Sequence, residues 1–197
     1  MPKFPVSPNI RGIGLSDANA YARGLADRFD YVNTYFDREP RLDICKPDRA
    51  FLGANDFVIA SDVFEHIEAP VATAFRNLRE LLKPNGIVVF TVPFSFAEHT
   101  TEHFPDLFEW RLVDVGDGKV AVENRTRDGR LQRFADVVMH HGPGMTLEMR
   151  EFSHDALLSE FSAAGFDRVT VERRPCFDYG IYWRVPWSVT ISARAPR

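Results

Sequence analysis

Histidine is the side chain best able to take up or release a proton near neutral pH. Five histidines of this sequence are considered for such chemistry: His66, His99, His103, His140 and His141. His140 and His141 stand directly before a Gly-Pro-Gly turn that would expose them in a constrained loop, so we rank them ahead of His99 and His103 as a catalytic base. Neighbouring residues of an extended segment point in opposite directions, so at most one of His140 and His141 can face a reacting atom.

A metal site is the alternative use of two of these histidines. His99 and His103 are four residues apart, with Glu102 between them, and on a helix this spacing would put both imidazoles on one face. A tetrahedral site needs further ligands, and neither a third ligand nor an H-E-x-x-H pattern is evident. We therefore predict no metal and interpret these residues as histidines of a loop or lid with backbone partners.

Two apolar runs predict the strands that would position His66. Asp56–Ala60 and Ile87–Val92 are short and rich in β-branched residues, which is typical of strands buried on both faces of a sheet. Between them, apolar residues recur at helical spacing from 71 to 82, and a Lys-Pro-Asn-Gly turn ends the predicted helix. Strand, helix and buried strand predict a right-handed parallel unit. The residues that follow both strands should then share one edge, here called the rim, where ligands of open parallel sheets bind.

The sequence D-V-F-E-H-I at 62–67, with N-L-R-E-L-L-K-P-N-G-I-V-V-F-T-V-P at 77–93, resembles the central part of class I S-adenosylmethionine-dependent methyltransferases. In that family an acidic residue ends the fourth strand, a Glu-His pair follows, and a Leu-Lys-Pro-x-Gly turn opens the fifth strand. The resemblance implies that Ser61, Asp62 and His66 lie in the cofactor site, where His66 shapes the pocket more often than it takes a proton. A parallel α/β domain with other chemistry is the alternative.

The fold class that follows is α/β. The resemblance implies a Rossmann-like, mostly parallel sheet with helices on both faces and a C-terminal antiparallel strand pair, predicted at 169–173 and 188–193. It implies S-adenosylmethionine as the cofactor. We expect a single domain over residues 1–197.

The segment R-G-I-G-L-S-D predicts a glycine loop between a first strand at 10–15 and a helix that Ser16 and Asp17 would cap and that would run to about Phe29. Gly12 and Gly14 would let the backbone approach a ligand at the amino terminus of that helix. The resemblance implies that Gly12, Gly14 and Asp17 bind the cofactor, although Ser16 stands where the family has a third glycine. An ordinary strand and turn without a ligand is the alternative.

Two further carboxylates occupy positions that the resemblance assigns to the nucleoside end of the cofactor. Asp37, or Glu39 two residues later, would lie at the end of a second strand and accept hydrogen bonds from the ribose hydroxyls. Asp43 would accept a hydrogen bond from the adenine amino group. A solvated turn is the alternative for Asp37. The family places a helix between its second and third strands, and here the connection is too short for one, so we expect a trimmed sheet edge with a third-strand stub at 42–44.

Residues 94–150, here called the insertion, follow the fifth strand of the family pattern. Two alternating runs joined by Gly-Asp-Gly at 116–118 predict a β-hairpin, and an Arg-Asp-Gly-Arg turn adds a third strand. Because the insertion follows a strand that ends at the rim, we interpret it as a β-rich lid that selects the acceptor. Arg111 and Arg150 could bind a substrate carboxylate or phosphate, or could pair with acidic side chains.

Composition and charge limit the classes of binding partner that we expect for this protein. The chain has 197 residues, a net charge of −4 and no basic run, which disfavours nucleic acid as the main partner. No apolar stretch is long enough to span a bilayer, and residues 1–10 lack the profile of a signal peptide. Cys45 and Cys176 offer no disulfide framework, which fits a reducing cytoplasm. We predict a cytoplasmic protein with a small-molecule substrate and no membrane partner, and the sequence leaves a homodimer open.

The functional hypothesis is methyl transfer from S-adenosylmethionine to a small polar molecule, with oxygen favoured as the acceptor atom. The first alternative is a catalytically inactive, methyltransferase-like binding or scaffolding protein, suggested by the unusual glycine loop and the missing helix. The second is a nicotinamide-dependent enzyme that uses Gly12 and Gly14. It ranks last because the third glycine and the spacing to an acidic residue are absent.

Overall fold

The computed structural model of this chain describes residues 5–140, 146–187 and 189–197. Its strands are, in chain order, β1 (Ser7–Leu15), β2 (Phe29–Thr34), β3 (Asn55–Ser61), β4 (Leu82–Thr91), β5 (Phe94–Ser95), β6 (Thr101–Glu102), β7 (Glu109–Gly116), β8 (Lys119–Arg125), β9 (Leu131–Phe134), β10 (Met139–His140), β11 (Thr146–Leu147), β12 (Arg150–Ser153), β13 (Asp167–Val171) and β14 (Ile191–Arg194). Its α-helices are α1 (Asn19–Ala26), α2 (Ala72–Glu80) and α3 (His154–Ala163), and single 3-10 turns occur at Arg49–Phe51, Phe64–His66 and Phe177–Tyr179.

The central sheet has the strand order β13-β14-β4-β3-β1-β2. Strands β1 to β4 run parallel, whereas β14 is antiparallel to both β4 and β13. This confirms the mostly parallel sheet and its C-terminal antiparallel pair. The family's fourth and fifth strands are therefore β3 and β4 here. In place of the third-strand stub expected at 42–44, the structure has a single parallel bridge between Tyr35 and Arg41. The chain leaves the sheet after this one pair of residues.

Helices cover both faces of the sheet, as the resemblance implies. Val58 and Ala60 of β3 are fully buried in the main core, which α2 and α3 close from one side. Phe57 and Ile59 alternate with them, point to the other face and pack against a smaller cluster that includes Leu25 of α1. Six phenylalanines of the main core are linked by edge-to-face contacts: Phe64, Phe75, Phe90, Phe152, Phe161 and Phe166.

The first helix differs from its prediction at both ends. Helix α1 covers Asn19–Ala26, and its N-cap residue, Ala18, makes no side-chain capping bond. Asp17 does not cap it; its carboxylate accepts hydrogen bonds from Tyr21 and Tyr31. The helix ends before Phe29 because that residue already begins β2. Helix α2, at Ala72–Glu80, begins and ends within two residues of the predicted range, 71 to 82.

The predicted Lys-Pro-Asn-Gly turn lies at the start of β4. Leu82 pairs with Asn55, and pairing resumes only between Ile87 and Phe57, so the four residues of the turn bulge out of the sheet. Asn85 has a left-handed φ of 63°, a conformation that asparagine tolerates better than most residues. After this bulge β4 runs through the middle of the sheet.

The insertion is β-rich, as expected. Strands β7, β8 and β9 form an antiparallel sheet, which confirms the predicted hairpin and its third strand. Strand β12 pairs in parallel with β5 and antiparallel with β6, and β10 pairs with β11. Phe104, Val122, Leu147 and Met149 form a small core of the insertion, separate from the main core. Ser153 caps α3 by accepting a bond from the Ala156 amide at 3.3 Å.

The three helices have eight to ten residues each. Within the described ranges, none of them has the length and apolar character that crossing a bilayer would require.

Candidate active site

Strands β1 and β3 are neighbours in the sheet although β2 lies between them in the chain. This reversal of strand order is the point at which open α/β sheets bind ligands, beyond the carboxyl ends of the strands. Here those ends are Leu15 and Ser61. The rim therefore consists of the turn after β1, the ends of β2 and β4, and residues 61–67 after β3, which we call the rim turn.

The rim turn is fixed to β4 at its first two residues. The Ser61 and Thr91 hydroxyls lie 2.7 Å apart, and the Asp62 amide donates to the Thr91 carbonyl at 2.8 Å. Asp62 has a left-handed φ of 53°, which turns the chain away from the sheet. Its carboxylate accepts a 3.3 Å bond from the Thr91 hydroxyl and is otherwise at the exposed surface. An anchored, exposed carboxylate at the switch point suits a ligand with donor groups, including an ammonium.

The turn after β1 is built differently. Asp17 is only 5% exposed, and its carboxylate accepts bonds from the Tyr31 hydroxyl and, at 3.0 Å, from the Tyr21 hydroxyl. Its amide donates to the Asn33 side chain at 2.9 Å. Burial raises the pKa of the Asp17 carboxyl to about 6, although the two phenols that donate to it lower the pKa in part. The turn is therefore held by its own polar network.

Gly12 and Gly14 lie inside β1 and not in a loop. A Cβ atom added at Gly12 would overlap the Phe57 ring, and one added at Gly14 would overlap the Tyr31 hydroxyl and the Asp17 carboxylate. Both glycines thus make room for the protein's own side chains, which the sequence interpretation of a loop open to a ligand did not foresee. The assignment of Gly12, Gly14 and Asp17 as cofactor contacts stays a prediction.

The two carboxylates assigned to the nucleoside end lie beyond β2. The Asp37 side chain is exposed, and its Oδ1 lies 3.8 Å from Nη1 of the neighbouring Arg38. Asp43 is half-buried between Leu42 and Ile44, which point into the core, and it accepts a 2.9 Å bond from the Cys45 amide. Neither carboxylate is buried, so both can reach a ligand at this edge, and their roles stay predictions.

The rim turn contacts the insertion through two residues that the family motif contains, Glu65 and His66. The Glu65 carbonyl accepts a 2.7 Å bond from the Met149 amide, and His66 Nδ1 lies 2.9 Å from the Leu147 carbonyl. The Glu65 side chain is fully buried. Burial, with the negative charges of Asp62 and Glu148 nearby, raises the pKa of the Glu65 carboxyl to about 8. Glu65 therefore holds its proton more tightly than an exposed glutamate does.

The histidines of the insertion occupy very different environments. His103 is 23% exposed, and its Nε2 lies 3.2 Å from Glu148 Oε1. His99 is 85% exposed, with Glu98 beside it at 3.7 Å. His140 ends β10, where it pairs with Thr146 next to the Leu147 that contacts His66. His141 lies outside the described residues.

The sequence interpretation missed Glu148, Tyr21 and Tyr31. Tyr31 could have been found from the small-to-large pairing of a strand glycine with an aromatic residue on the neighbouring strand. Glu148 carries no local signal, because its partners His103 and Glu65 are 45 and 83 residues away in the sequence. Among the described residues, no group of three or more His, Cys, Asp or Glu side chains is arranged to hold a metal.

The insertion sheet also carries a concavity of about 610 Å³, lined by residues of all three of its strands, among them Trp110 and Arg111. The Trp110 indole donates to Glu68 at 3.0 Å, just after the rim turn, whereas Arg111 pairs with Glu123 at 2.7 Å. Arg111 is therefore paired, one of the two alternatives that its sequence position left open. The concavity lies on the insertion and not at the switch point of the sheet.

Comparison with known proteins identifies the family of this chain. A model of the methyltransferase domain family matches residues 8–171. Curated protein sequences give no significant match. Among solved structures, 1,6-didemethyltoxoflavin-N1-methyltransferase of Burkholderia thailandensis, with bound 1,6-didemethyltoxoflavin and S-adenosylhomocysteine, has a TM-score of 0.53 at 16% identity, and the match covers 95% of this chain and 71% of that chain.

Two further structures have the same fold. An S-adenosylmethionine-dependent methyltransferase from Mesorhizobium loti has a TM-score of 0.56 at 16% identity, with 98% of this chain and 94% of that chain covered. One from Clostridium acetobutylicum has a TM-score of 0.55 at 14% identity, with 95% and 84% covered. These identities support the fold, and the family model, which spans most of the chain, shows the family. The chain belongs to the methyltransferase domain family and is, as its motifs predict, an S-adenosylmethionine-dependent methyltransferase of class I.

Proposed function

We propose that this methyltransferase acts on a hydroxyl group of a small polar molecule and that a histidine of the insertion removes the hydroxyl proton. The observation that carries the proposal is the 3.2 Å contact between His103 and Glu148. Glu148 belongs to the segment that lies on the rim turn, since Leu147 and Met149 on either side of it bond to His66 and Glu65. A carboxylate that holds an imidazole in one orientation and tautomer supports its use as a general base.

The residues present fit the cofactor best at the β3 end of the rim. There the exposed Asp62 carboxylate would accept from the amino group of the cofactor's methionine part, with Ser61 and His66 beside it. At the other end Asp37 and Asp43 would meet the ribose and adenine, and the turn that follows Gly12 and Gly14 and contains Asp17 would lie between. When bound, S-adenosylmethionine supplies a methyl group on a positively charged sulfur, which makes that carbon electrophilic.

The protein's own task is then mainly alignment and proton removal. Aligning two reactants in a fixed geometry replaces a collision and can supply a large part of the rate. We propose that the insertion, residues 94–150, covers the rim and positions the acceptor hydroxyl between the cofactor and His103. Nε2 of His103 cannot both donate to Glu148 and take the acceptor proton, so the imidazole would use its other nitrogen or exchange partners when the acceptor binds.

His103 competes with His140 and His141 for this role. The backbone of His140 lies in a β-pair whose second strand contacts His66, which supports a position near the rim. His141 follows directly. His99 is the weakest candidate because its side chain is largely in solvent.

The decisive experiment separates binding from turnover. Binding of S-adenosylhomocysteine is measured by calorimetry, and methyl transfer is assayed with hexoses, phenols and amino sugars. We expect His103→Gln to lower kcat by about 100- to 10,000-fold, the range for loss of a general base, with unchanged S-adenosylhomocysteine affinity. His99→Gln is the matched control and should keep the wild-type rate. His140→Gln and His141→Gln complete the set.

Three results would contradict the proposal in different ways. If all four variants keep their rates and pH profiles, alignment alone drives the reaction. Methylation of amino sugars without any hydroxyl acceptor would move the acceptor atom to nitrogen. Binding of S-adenosylhomocysteine without turnover of any acceptor would favour the binding or scaffolding role.

A further inference from the structure

Arg150 is the largest fully buried side chain among the described residues, with a relative exposure of 1%. It begins β12 inside the insertion, yet its guanidinium reaches the rim turn. Burying a guanidinium is costly unless its donors find acceptors, so its position needs a physical reason. The oxygen atoms that accept its hydrogen bonds provide that reason.

One nitrogen of Arg150 holds both ends of the 3-10 turn that follows Asp62. Nη1 donates to the Phe64 carbonyl at 3.1 Å and to the Ile67 carbonyl at 2.5 Å. These two carbonyls flank the Glu65-His66 pair. The turn's internal bond from the Ile67 amide to the Phe64 carbonyl is long, at 3.4 Å, as is common in such tight turns. The guanidinium therefore supplies hydrogen bonds that the turn does not make by itself.

The same side chain is also fixed to the insertion. Its Nε donates to Glu102 Oε1 at 2.8 Å, and its guanidinium carbon lies 5.6 Å from the centre of the Phe152 ring. Glu102 and Arg150 are direct partners between β6 and β12. His103, the next residue after Glu102, donates its amide to the Met149 carbonyl at 2.9 Å. Arg150 thus contacts the rim turn on one side and the strand that leads to His103 on the other.

These contacts exclude the substrate-binding role that the sequence left open for Arg150. Its side chain has no exposed surface, and Nε and Nη1 are engaged by protein oxygens. Nη2 is buried and has no hydrogen-bond partner among the described residues. A planar guanidinium can serve two carbonyls and a carboxylate at once, which a lysine ammonium on a flexible chain cannot do in the same geometry.

We propose that Arg150 is a positioning residue that keeps the rim turn and the His103–Glu148 pair in a fixed relation to each other. This inference rests on the proposed function, because it concerns the geometry between the cofactor end of the rim and the proposed base. Asp62 is held independently of Arg150, through the Thr91 carbonyl and hydroxyl. Loss of Arg150 therefore disturbs the alignment for methyl transfer more than it disturbs cofactor binding.

The test compares Arg150→Met, Arg150→Lys and Glu102→Gln, with Arg111→Met as the control for an exposed, paired arginine of the same insertion. We expect Arg150→Met to lower kcat by about 100-fold, the scale for a misplacement of about 1 Å. The S-adenosylhomocysteine Kd should change much less than kcat, because Asp62 keeps its contacts to Thr91 even if His66 is loosened. Arg150→Lys should restore part of the rate, and Glu102→Gln should lose less than Arg150→Met. Arg111→Met should behave as wild type.

Amide hydrogen exchange tests the inference without a methyl-acceptor substrate. The amides of residues 65–67 should exchange faster in Arg150→Met than in wild type, whereas amides of β3 should not change. If Arg150→Met does not fold, the same readings are taken on Arg150→Lys and Glu102→Gln. Folded variants with wild-type kcat and wild-type exchange at 65–67 would overturn the inference. Failure of the wild-type protein to bind S-adenosylhomocysteine would instead overturn the proposed function and leave the exchange result to stand alone.

Discussion

At the β1 end of the rim the chain's own side chains fill the space beside the strand, whereas at the β3 end a carboxylate faces solvent. Gly14 is covered by Tyr31 and Asp17, and Asp17 is buried. Asp62 is exposed and is held in place by Thr91. We call these the closed end and the open end of the rim.

The difference follows the sequence motif. At the open end the motif quoted for the family resemblance runs from Asp62 to Gly86, and Asp62 follows directly after β3. At the closed end the third glycine is replaced by Ser16, and the polar network of Asp17 has taken the space. A motif that departs from its family thus marks the part of the rim that the protein uses for its own packing. Four predictions test this comparison.

The largest expected effect concerns the buried carboxyl of the closed end. The pKa of Asp17 is raised to about 6 from an ordinary value of 3.8, so the folded state holds the proton more tightly than the unfolded state. Its contribution to stability is therefore complete below pH 3.8 and is lost as the pH rises through about 6. At 1.36 kcal/mol for each unit of pKa, the total is about 3 kcal/mol.

The measurement is urea unfolding of wild type and Asp17→Asn at intervals from pH 4 to pH 8. The unfolding free energy of wild type minus that of the variant should fall by the stated amount up to about pH 6 and then level off. Both proteins contain Glu65, so the slower loss expected from that carboxyl up to about pH 8 cancels in the difference. A difference that does not vary with pH would mean that Asp17 is not buried as described.

The second prediction is that Gly14→Ala destabilises the fold. The new methyl group would overlap the Tyr31 hydroxyl and the Asp17 carboxylate, and overpacking of this kind costs about 1–3 kcal/mol. Denaturant unfolding measures the loss, and adding Tyr31→Phe should recover part of it by removing one of the overlapping atoms. Unchanged stability in Gly14→Ala would show that the closed end has room for a ligand after all.

These two effects also show how far sequence reasoning could go. The order of strands and helices, the hairpin of the insertion and the rim turn followed from local patterns, because periodicity and turn residues act over a few neighbours. The Asp17 network did not follow, since it depends on Tyr31, which meets Asp17 only when β1 and β2 pair. The His103–Glu148 contact also depends on tertiary pairing across 45 residues. Patterns predict elements, and contacts between elements need the fold.

The third prediction addresses the open end. Asp62→Ala should weaken S-adenosylhomocysteine binding by about 1–3 kcal/mol, the usual loss for a hydrogen bond to a charged group. Calorimetric titration measures it, and Asp17→Asn is the paired control, whose affinity should change less. Equal losses of affinity in the two variants would show that the open and closed ends do not differ in cofactor binding. Unchanged affinity in Asp62→Ala would mean that this carboxylate is not a cofactor contact.

The smallest effect is expected at Gly24, in the middle of α1. Here an added Cβ meets no atom within 4 Å, so the substitution tests helix propensity without a packing conflict. Gly24→Ala should raise the unfolding free energy by about 0.5–1 kcal/mol. It serves as the reference for Gly14→Ala, because both add the same methyl group on the same side of the molecule. A lower unfolding free energy in Gly24→Ala would show that neighbouring atoms pack against position 24 more closely than described.

The parallel pairing of Phe94 with Phe152 brings the first and last strands of the insertion next to each other. Neighbouring strands lie about 5 Å apart, so the whole segment between them leaves and returns to the core at nearly one place. Segments with such close ends can be exchanged, shortened or lengthened with little effect on the rest of a fold. If the insertion selects the acceptor as proposed, grafting a different segment between β5 and β12 should redirect acceptor preference, provided that the contacts of Leu147, Met149 and Arg150 to the rim turn are kept.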